Sequence, residues 1–169
     1  MREGRFDELD AWQPQVTSVI GRNRTTWYRT ITINGGTNQG FAAGMPVVNE
    51  QGVVGRILAV AYNSAQVLLL TDKDGAVSAM IQDNRIAGVI ESFDGKSNKL
   101  QMIYLPMEVT IIKDQVVITS GLGGIYPKGL RIGYVDSVER DSSGLTQTAQ
   151  VTPFVDFSRL EKVIVLKNN

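Results

Sequence analysis

Twelve short β-type segments follow one another along this chain, and turn signals separate them. Several alternate between two faces: Ile31 and Ile33 share one face of their segment, and Thr30 and Thr32 share the other. That period of two is typical of a half-buried strand. Asn-Gly or Asp-Gly pairs at positions 34–35, 74–75 and 94–95 are typical of tight turns. The segments are 15–21, 27–33, 45–49, 53–61, 64–70, 76–82, 86–92, 100–105, 115–118, 130–138, 145–151 and 162–166.

The pattern predicts an all-β protein made of two small six-stranded β-barrels with almost no helix. One closed twelve-stranded barrel would need more large inward residues than a chain with 17 glycines offers. We expect residues 15–34 plus 113–169 to form an outer barrel and residues 35–112 to form an inserted one. Sequential barrels divided near residue 84 are the alternative. Residues 1–14 are interpreted as a tail or as the end of a coiled-coil helix, because Phe6, Leu9 and Trp12 are three residues apart.

A glycine-rich connection, residues 119–129, lies between two of the predicted strands and is called the glycine loop below. It holds apolar residues where a polar connection is usual, so those residues either cap a barrel or form a contact patch. We therefore predict a partner or self-association surface. Its residues are Gly121, Leu122, Gly123, Gly124, Ile125, Tyr126 and Pro127.

An earlier stretch repeats this loop in weaker form and indicates duplication. The proposed overlay places Gly36 on Gly121, Phe41 on Tyr126, Gly44 on Gly129 and Val47 on Ile132.

Composition argues against several classes of function. Seventeen basic residues balance seventeen acidic ones without a long basic run, which argues against nucleic-acid binding. There is no cysteine and no histidine, so disulfides, thiolate chemistry and the commonest general base are excluded. We expect no catalytic residue, no cofactor site and no metal site.

Two functional alternatives stay open from the residues. A serine hydrolase would have to use Ser120 with Lys113 or Lys128 as its base, since no histidine is present. The competing interpretation of Ser120 is a hydroxyl that bonds the backbone of a glycine turn. A glycan-binding β module that contacts peptidoglycan would need exposed aromatic platforms, and the aromatic residues here are scattered.

The chain resembles the extracytoplasmic region of the MreC family, the bacterial rod-shape-determining proteins. About 150 residues carry the resemblance, in segments whose order and spacing together are specific. The matching segments are 19–22, 27–33, 44–47, 52–56, 67–72, 119–129, 151–153, 156–157 and 160–166.

The resemblance implies two barrels distantly like those of chymotrypsin but without catalytic residues. It implies a non-enzymatic scaffold outside the cytoplasmic membrane that organises peptidoglycan synthesis during cell elongation. The implied partners are the elongation penicillin-binding transpeptidase, MreD, indirectly MreB, and further copies of the chain as a dimer or filament. It also implies a cytoplasmic stretch, a transmembrane helix and a coiled coil before residue 15, which this chain lacks; membrane attachment would depend on that helix.

Overall fold

The computed structural model describes residues 12–24 and 28–168. Twelve strands account for most of them, and each overlaps one of the predicted segments. Two single-turn 3-10 helices, Thr37–Gln39 and Phe157–Arg159, lie between strands. The strands are β1 (Trp12–Arg24), β2 (Arg29–Asn34), β3 (Pro46–Val48), β4 (Val53–Val60), β5 (Ser64–Leu69), β6 (Val77–Ile81), β7 (Ala87–Ser92), β8 (Leu100–Pro106), β9 (Val116–Thr119), β10 (Arg131–Arg140), β11 (Thr146–Pro153) and β12 (Lys162–Asn168).

The strands close into two antiparallel barrels, as the sequence predicts. Barrel 1 has the ring order β1-β12-β3-β4-β5-β2, and barrel 2 has the order β10-β11-β8-β7-β6-β9. Closure leaves neither sheet with an unpaired edge. The apolar side chains of the alternating pattern fill the barrel interiors. Ile31 and Ile33 are fully buried in barrel 1, and Ala79 and Ile81 are fully buried in barrel 2.

The expected domain boundaries are wrong, although one barrel is inserted in the other. All strands of barrel 2 lie between residues 77 and 153, and barrel 1 takes β1 to β5 together with β12. The division 15–34 plus 113–169 against 35–112 therefore misplaces six strands, and a division near residue 84 also fails. The physical reason is local pairing: β4 pairs with β3 and β5 through short turns, and β5 pairs with β2, which holds β3 to β5 in the outer barrel.

The two barrels share one ring order, but not in the register of the sequence overlay. Barrel 1 starting at β3 runs β3-β4-β5-β2-β1-β12, and barrel 2 starting at β6 runs β6-β7-β8-β11-β10-β9. In this comparison β12 and β1 of barrel 1 occupy the ring positions that β9 and β10 occupy in barrel 2. The overlay of β2–β3 on β9–β10 is wrong in topology, because β9 pairs with β10 whereas β2 does not pair with β3. It is right in one detail, since Phe41 and Tyr126 are both buried aromatic residues in their loops.

The tail ends earlier than expected. Strand β1 begins at Trp12, and Pro14 lies within it opposite Leu166 of β12. Trp12 therefore belongs to a strand and not to the predicted helical stripe, while Phe6 and Leu9 lie outside the described residues.

Two connections cross between the barrels, residues 70–76 and 154–161. Arginine side chains of barrel 1 bind the second connection and a turn of barrel 2. Arg22 donates to the carbonyl oxygens of Phe157 and Leu160 at 2.7 and 3.2 Å. Arg29 donates to the Ser97 carbonyl oxygen at 2.6 Å and to the Asn98 side chain at 2.9 Å, both in the β7–β8 turn. These charge-assisted hydrogen bonds join barrel 1 to barrel 2 and to the second connection.

Glycine at position 55 is required by the close approach of two strands in barrel 1. A Cβ there would lie 2.0 Å from the carbonyl oxygen of Leu68, and only a backbone shift would relieve this overlap. We predict that Gly55→Ala lowers the free energy of unfolding by at least about 2 kcal/mol, as overpacking does.

The matched control for this prediction is Gly124→Ala. Gly124 has φ of 76° but open space around the position of a Cβ, so its cost is limited to about 1 kcal/mol of backbone strain. Urea denaturation of both variants measures the difference. Equal losses at the two positions would contradict the steric account.

Candidate functional site

The glycine loop joins β9 to β10, which pair as a hairpin. Gly123 and Gly124 are consecutive residues with φ of 90° and 76°, a backbone that residues with a Cβ seldom adopt. No atom lies within 4 Å of where their Cβ atoms would be. These two glycines are therefore needed for the backbone conformation of the loop, and packing does not require them.

Thr119 fixes the base of the loop. Its buried hydroxyl donates to the carbonyl oxygen of Pro127 at 2.7 Å and accepts from the backbone nitrogen of Leu130 at 2.9 Å. The backbone nitrogen of Gly129 also donates to the Thr119 carbonyl oxygen at 3.0 Å. The loop is consequently closed at its base, which lowers the entropy cost of presenting its tip to a partner.

The apolar residues of the loop divide into two groups. Leu122 and Ile125 are 68% and 40% exposed, whereas Tyr126 is 6% exposed and Pro127 is buried. Tyr126 is therefore part of the core and not a side chain offered to a partner. The predicted surface is thereby narrowed to Leu122, Ile125 and the glycines around them, and its binding role stays a prediction.

Tyr126 links the loop to barrel 1. Burial raises the pKa of its phenol from the usual value near 10 to about 12, and the guanidinium of Arg56, which hydrogen-bonds the phenol, partly offsets this effect. Arg56 belongs to β4 and also donates to the carbonyl oxygen of Asp74 at 3.2 Å. One arginine thus binds the glycine loop and the first connection between the barrels.

Ser120 bonds the backbone, as the simpler interpretation of its hydroxyl expects. Its Oγ accepts from the backbone nitrogen of Leu122 at 3.3 Å, and its own nitrogen donates to the Ser78 carbonyl oxygen at 3.1 Å. Among residues 12–24 and 28–168 no hydrogen bond joins Ser120 to Lys113 or Lys128. The geometry supports a turn and supplies no base for a nucleophile.

Asp72 is a structural residue whose hydrogen-bond partners the sequence did not indicate. It is 2% exposed, and its carboxylate accepts from the backbone nitrogens of Arg29 at 2.6 Å and Asp74 at 2.8 Å. The signal was present, because Asp72 precedes a turn that contains Asp74 and Gly75. Within the described residues, no group of three acidic side chains could hold a metal ion.

The exposed aromatic residues do not form one platform on one element. Tyr28 lies just before β2, Tyr62 in the β4–β5 turn, Phe93 in the β7–β8 turn and Tyr104 on β8. Trp12 is half-buried, and Trp27 lies outside the described residues. In the described part of the chain, no strand or turn carries more than one of these exposed aromatic residues.

These features define a class of protein that consists of two six-stranded β-barrels joined by hydrogen bonds from arginine side chains. The class also has an apolar loop held at its base by Thr119, and it has no histidine for a Ser-His-Asp triad. The family model for the barrel core of the rod shape-determining protein MreC matches residues 19–167. The chain belongs to the MreC family. No helix within residues 12–24 and 28–168 is long and apolar enough to cross a membrane.

Individual relatives agree with this assignment. The cell shape-determining protein MreC of Listeria monocytogenes is 37% identical over 166 residues, which are 96% of this chain and 56% of the relative. A solved structure of the Listeria protein matches with a TM-score of 0.87 at 34% identity, covering 99% of this chain and 85% of that one. MreC from Helicobacter pylori, solved in complex with the penicillin-binding protein PBP2, matches at 20% identity with a TM-score of 0.73, over 94% of this chain and 99% of that one, and shows the fold. This chain thus spans a little over half the length of the Listeria relative.

The buried phenol predicts a pH dependence of stability. The folded-state pKa of Tyr126, about 12, is above that of the unfolded chain, near 10. Its contribution is therefore fully present below pH 10 and is lost as the pH rises toward 12. A difference of two units between the folded and unfolded pKa values corresponds to about 2–3 kcal/mol of unfolding free energy.

The pair to compare is the native chain and Tyr126→Phe, by urea denaturation at pH 8 and pH 11.5. The native chain is expected to lose more stability than the variant between these values. Tyr62→Phe, at an exposed position, is the matched control and should behave as the native chain does. Parallel losses for the native chain and Tyr126→Phe would show that the phenol is not held neutral.

Proposed function

We propose that this chain is the extracytoplasmic scaffold part of the cell-elongation machinery and has no enzymatic role of its own. Membership of a cell-shape family supports this proposal, and the chain consists mainly of two joined barrels. The proposed partner is the penicillin-binding transpeptidase of elongation. MreD, and through it MreB, are proposed to connect further, and self-association as a dimer or filament is proposed for the same body.

One observation carries this proposal: the exposed pair Leu122 and Ile125 on a loop whose base is closed by Thr119. Apolar side chains on a rigid projection bind with little loss of conformational entropy. The Helicobacter pylori relative was solved in complex with PBP2, which supports a partner of that kind. Anchoring of a full-length protein by a membrane helix before the barrels belongs to the same proposal.

The hydrogen bonding of Ser120 is the basis for proposing that the chain has no enzymatic activity. Its hydroxyl accepts a backbone hydrogen bond within the glycine loop, and neither Lys113 nor Lys128 hydrogen-bonds it. A serine-reactive fluorophosphonate should therefore leave the chain unlabelled. Labelling that disappears in Ser120→Ala would overturn the proposal.

Partner binding is tested by removing the two exposed side chains together. We predict that Leu122→Ser/Ile125→Ser weakens binding of the extracytoplasmic part of the elongation transpeptidase from the same organism by at least about tenfold. Isothermal titration calorimetry measures the affinity. Thermal melting should be unchanged, because neither side chain is in the core.

The control is Leu145→Ser, which removes an exposed apolar side chain from the β10–β11 turn. It should leave the affinity unchanged. Unchanged binding by the double variant, with both proteins folded, would reject the glycine loop as the contact surface.

A further inference from the structure

Three chain segments meet where barrel 1 contacts the β7–β8 turn of barrel 2. Arg29 of β2 donates to the Ser97 carbonyl oxygen of this turn at 2.6 Å. A Cβ on Gly95, in the same turn, would lie 3.5 Å from the Cβ of Lys73, which belongs to the first connection between the barrels. The amino group of Lys73 in turn lies 5.6 Å from the centroid of the Tyr28 ring. Residues 28–29, 72–74 and 93–99 therefore share one surface, called the three-segment surface below.

Two exposed aromatic side chains belong to the three-segment surface. Tyr28 and Phe93 are 43% and 46% exposed, and each is attached to a different barrel. Phe93 begins the turn, since its backbone nitrogen donates to the carbonyl oxygen of Lys99 at 2.9 Å. Tyr28 is linked to the same turn through Lys73, which lies over its ring and beside Gly95. The two aromatic residues are distant in sequence, so only the arrangement of the barrels brings their elements together.

The exposed charge on this surface is positive in balance. Lys73, Lys96 and Lys99 are exposed, whereas Asp74 and Asp94 are the exposed carboxylates of the three segments. The carboxylate of Asp94 accepts two backbone hydrogen bonds within its own turn, at 2.9 and 2.8 Å, which hold it against the turn. The lysines, by contrast, carry compact charges on long flexible stems, and such groups can reach an anion in solution.

We propose that the three-segment surface binds a carboxylate-bearing glycan strand, which is the chemistry of peptidoglycan. The C–H face of a sugar ring is apolar and packs on an exposed aromatic ring, as Tyr28 and Phe93 offer. Carboxylates along the strand are complementary in charge to the three lysines. Two aromatic rings with lysines around them fit a polymer in which sugar rings and acidic groups recur.

This binding goes beyond the scaffold function proposed above. It uses no residue of the glycine loop, and its ligand is a polymer and not a protein. A chain that binds both would keep a transpeptidase beside the polymer on which that enzyme acts. The experiments below contain no transpeptidase, so either proposal can fail while the other stands.

Sedimentation with purified peptidoglycan sacculi, stripped of attached anionic polymers, measures the binding. The native chain is expected to sediment with the sacculi in a saturable way. Tyr28→Ser/Phe93→Ser should raise the apparent dissociation constant at least about fivefold, because both stacking faces are lost. The matched control is Tyr62→Ser/Tyr104→Ser, which removes two exposed aromatic side chains elsewhere and should bind as the native chain does.

The lysines are tested by two pairs of variants with the same change in net charge. Lys96→Gln/Lys99→Gln should weaken binding at least about threefold. Lys113→Gln/Lys162→Gln, also at exposed positions, should leave binding unchanged. Lys96 and Lys99 lie exposed in a turn, so thermal melting of the first pair should be unchanged. This pair keeps the proposal testable even if the loss of Tyr28 impairs folding.

Chemical treatment of the polymer shows which ligand group is bound. Sacculi whose carboxylates have been amidated should bind the native chain at least about threefold more weakly. Equal binding to native and amidated sacculi would reject the proposal. Equal binding by the native chain and by folded Tyr28→Ser/Phe93→Ser would also reject it.

Vesicles of phosphatidylglycerol separate the polymer from an anionic membrane surface. The native chain is expected to bind sacculi and to leave these vesicles in suspension without bound protein. Binding to the vesicles alone would overturn the proposal and would assign the lysines to a lipid surface. Failure of the native chain to sediment with sacculi would overturn it as well.

Discussion

Barrel 1 closes only when the last strand returns from beyond the whole of barrel 2, and the rest of the structure depends on this closure. β12 lies between β1 and β3, pairs with β1 from Ser18 to Trp12, and buries Val163 and Val165 completely. Without it, barrel 1 would be an open sheet with two unpaired edges. Barrel 2, by contrast, is formed by one continuous stretch. Since non-local pairing slows folding, completion of barrel 1 is the slow step to expect.

Arginine side chains of barrel 1 bind across the region where this topology brings the two barrels and their connections together. Arg22, Arg29 and Arg56 each donate to backbone carbonyl oxygens of the connections or of barrel 2. A planar guanidinium that binds two acceptors fixes orientation as well as distance. Because the acceptors are mostly backbone atoms, these hydrogen bonds place few demands on which side chains barrel 2 carries.

The strands were predictable because each displays its own signal, whereas their partners were not. Ile31 and Ile33 alternate with threonines, and this local pattern is enough to define β2. Nothing local shows that β2 pairs with β5 and not with a later strand, because several strands have equally apolar faces. Assigning six strands to each barrel by count therefore produced the wrong boundaries.

The same distinction applies to the candidate site. Composition identified the glycine loop, because apolar residues among glycines are unusual in a connection. It did not show that Tyr126 faces inward, since its partner Arg56 belongs to the other barrel and is distant in sequence. The hydrogen bonds of Arg29 and Asp72 were not predicted for the same reason, because their partners are distant in sequence or are backbone atoms.

The pairing of Trp12 with Asn168 has a mechanical consequence. These residues stand side by side at one end of an antiparallel pair, and ladder hydrogen bonds in such a pair are perpendicular to the strands. Tension that separates the two residues would therefore open β1 from β12 one rung at a time, like a zipper, and the rungs would not share the load. A force transmitted through this body is resisted better when it enters through the flanks of the barrels than when it pulls on these two strand ends.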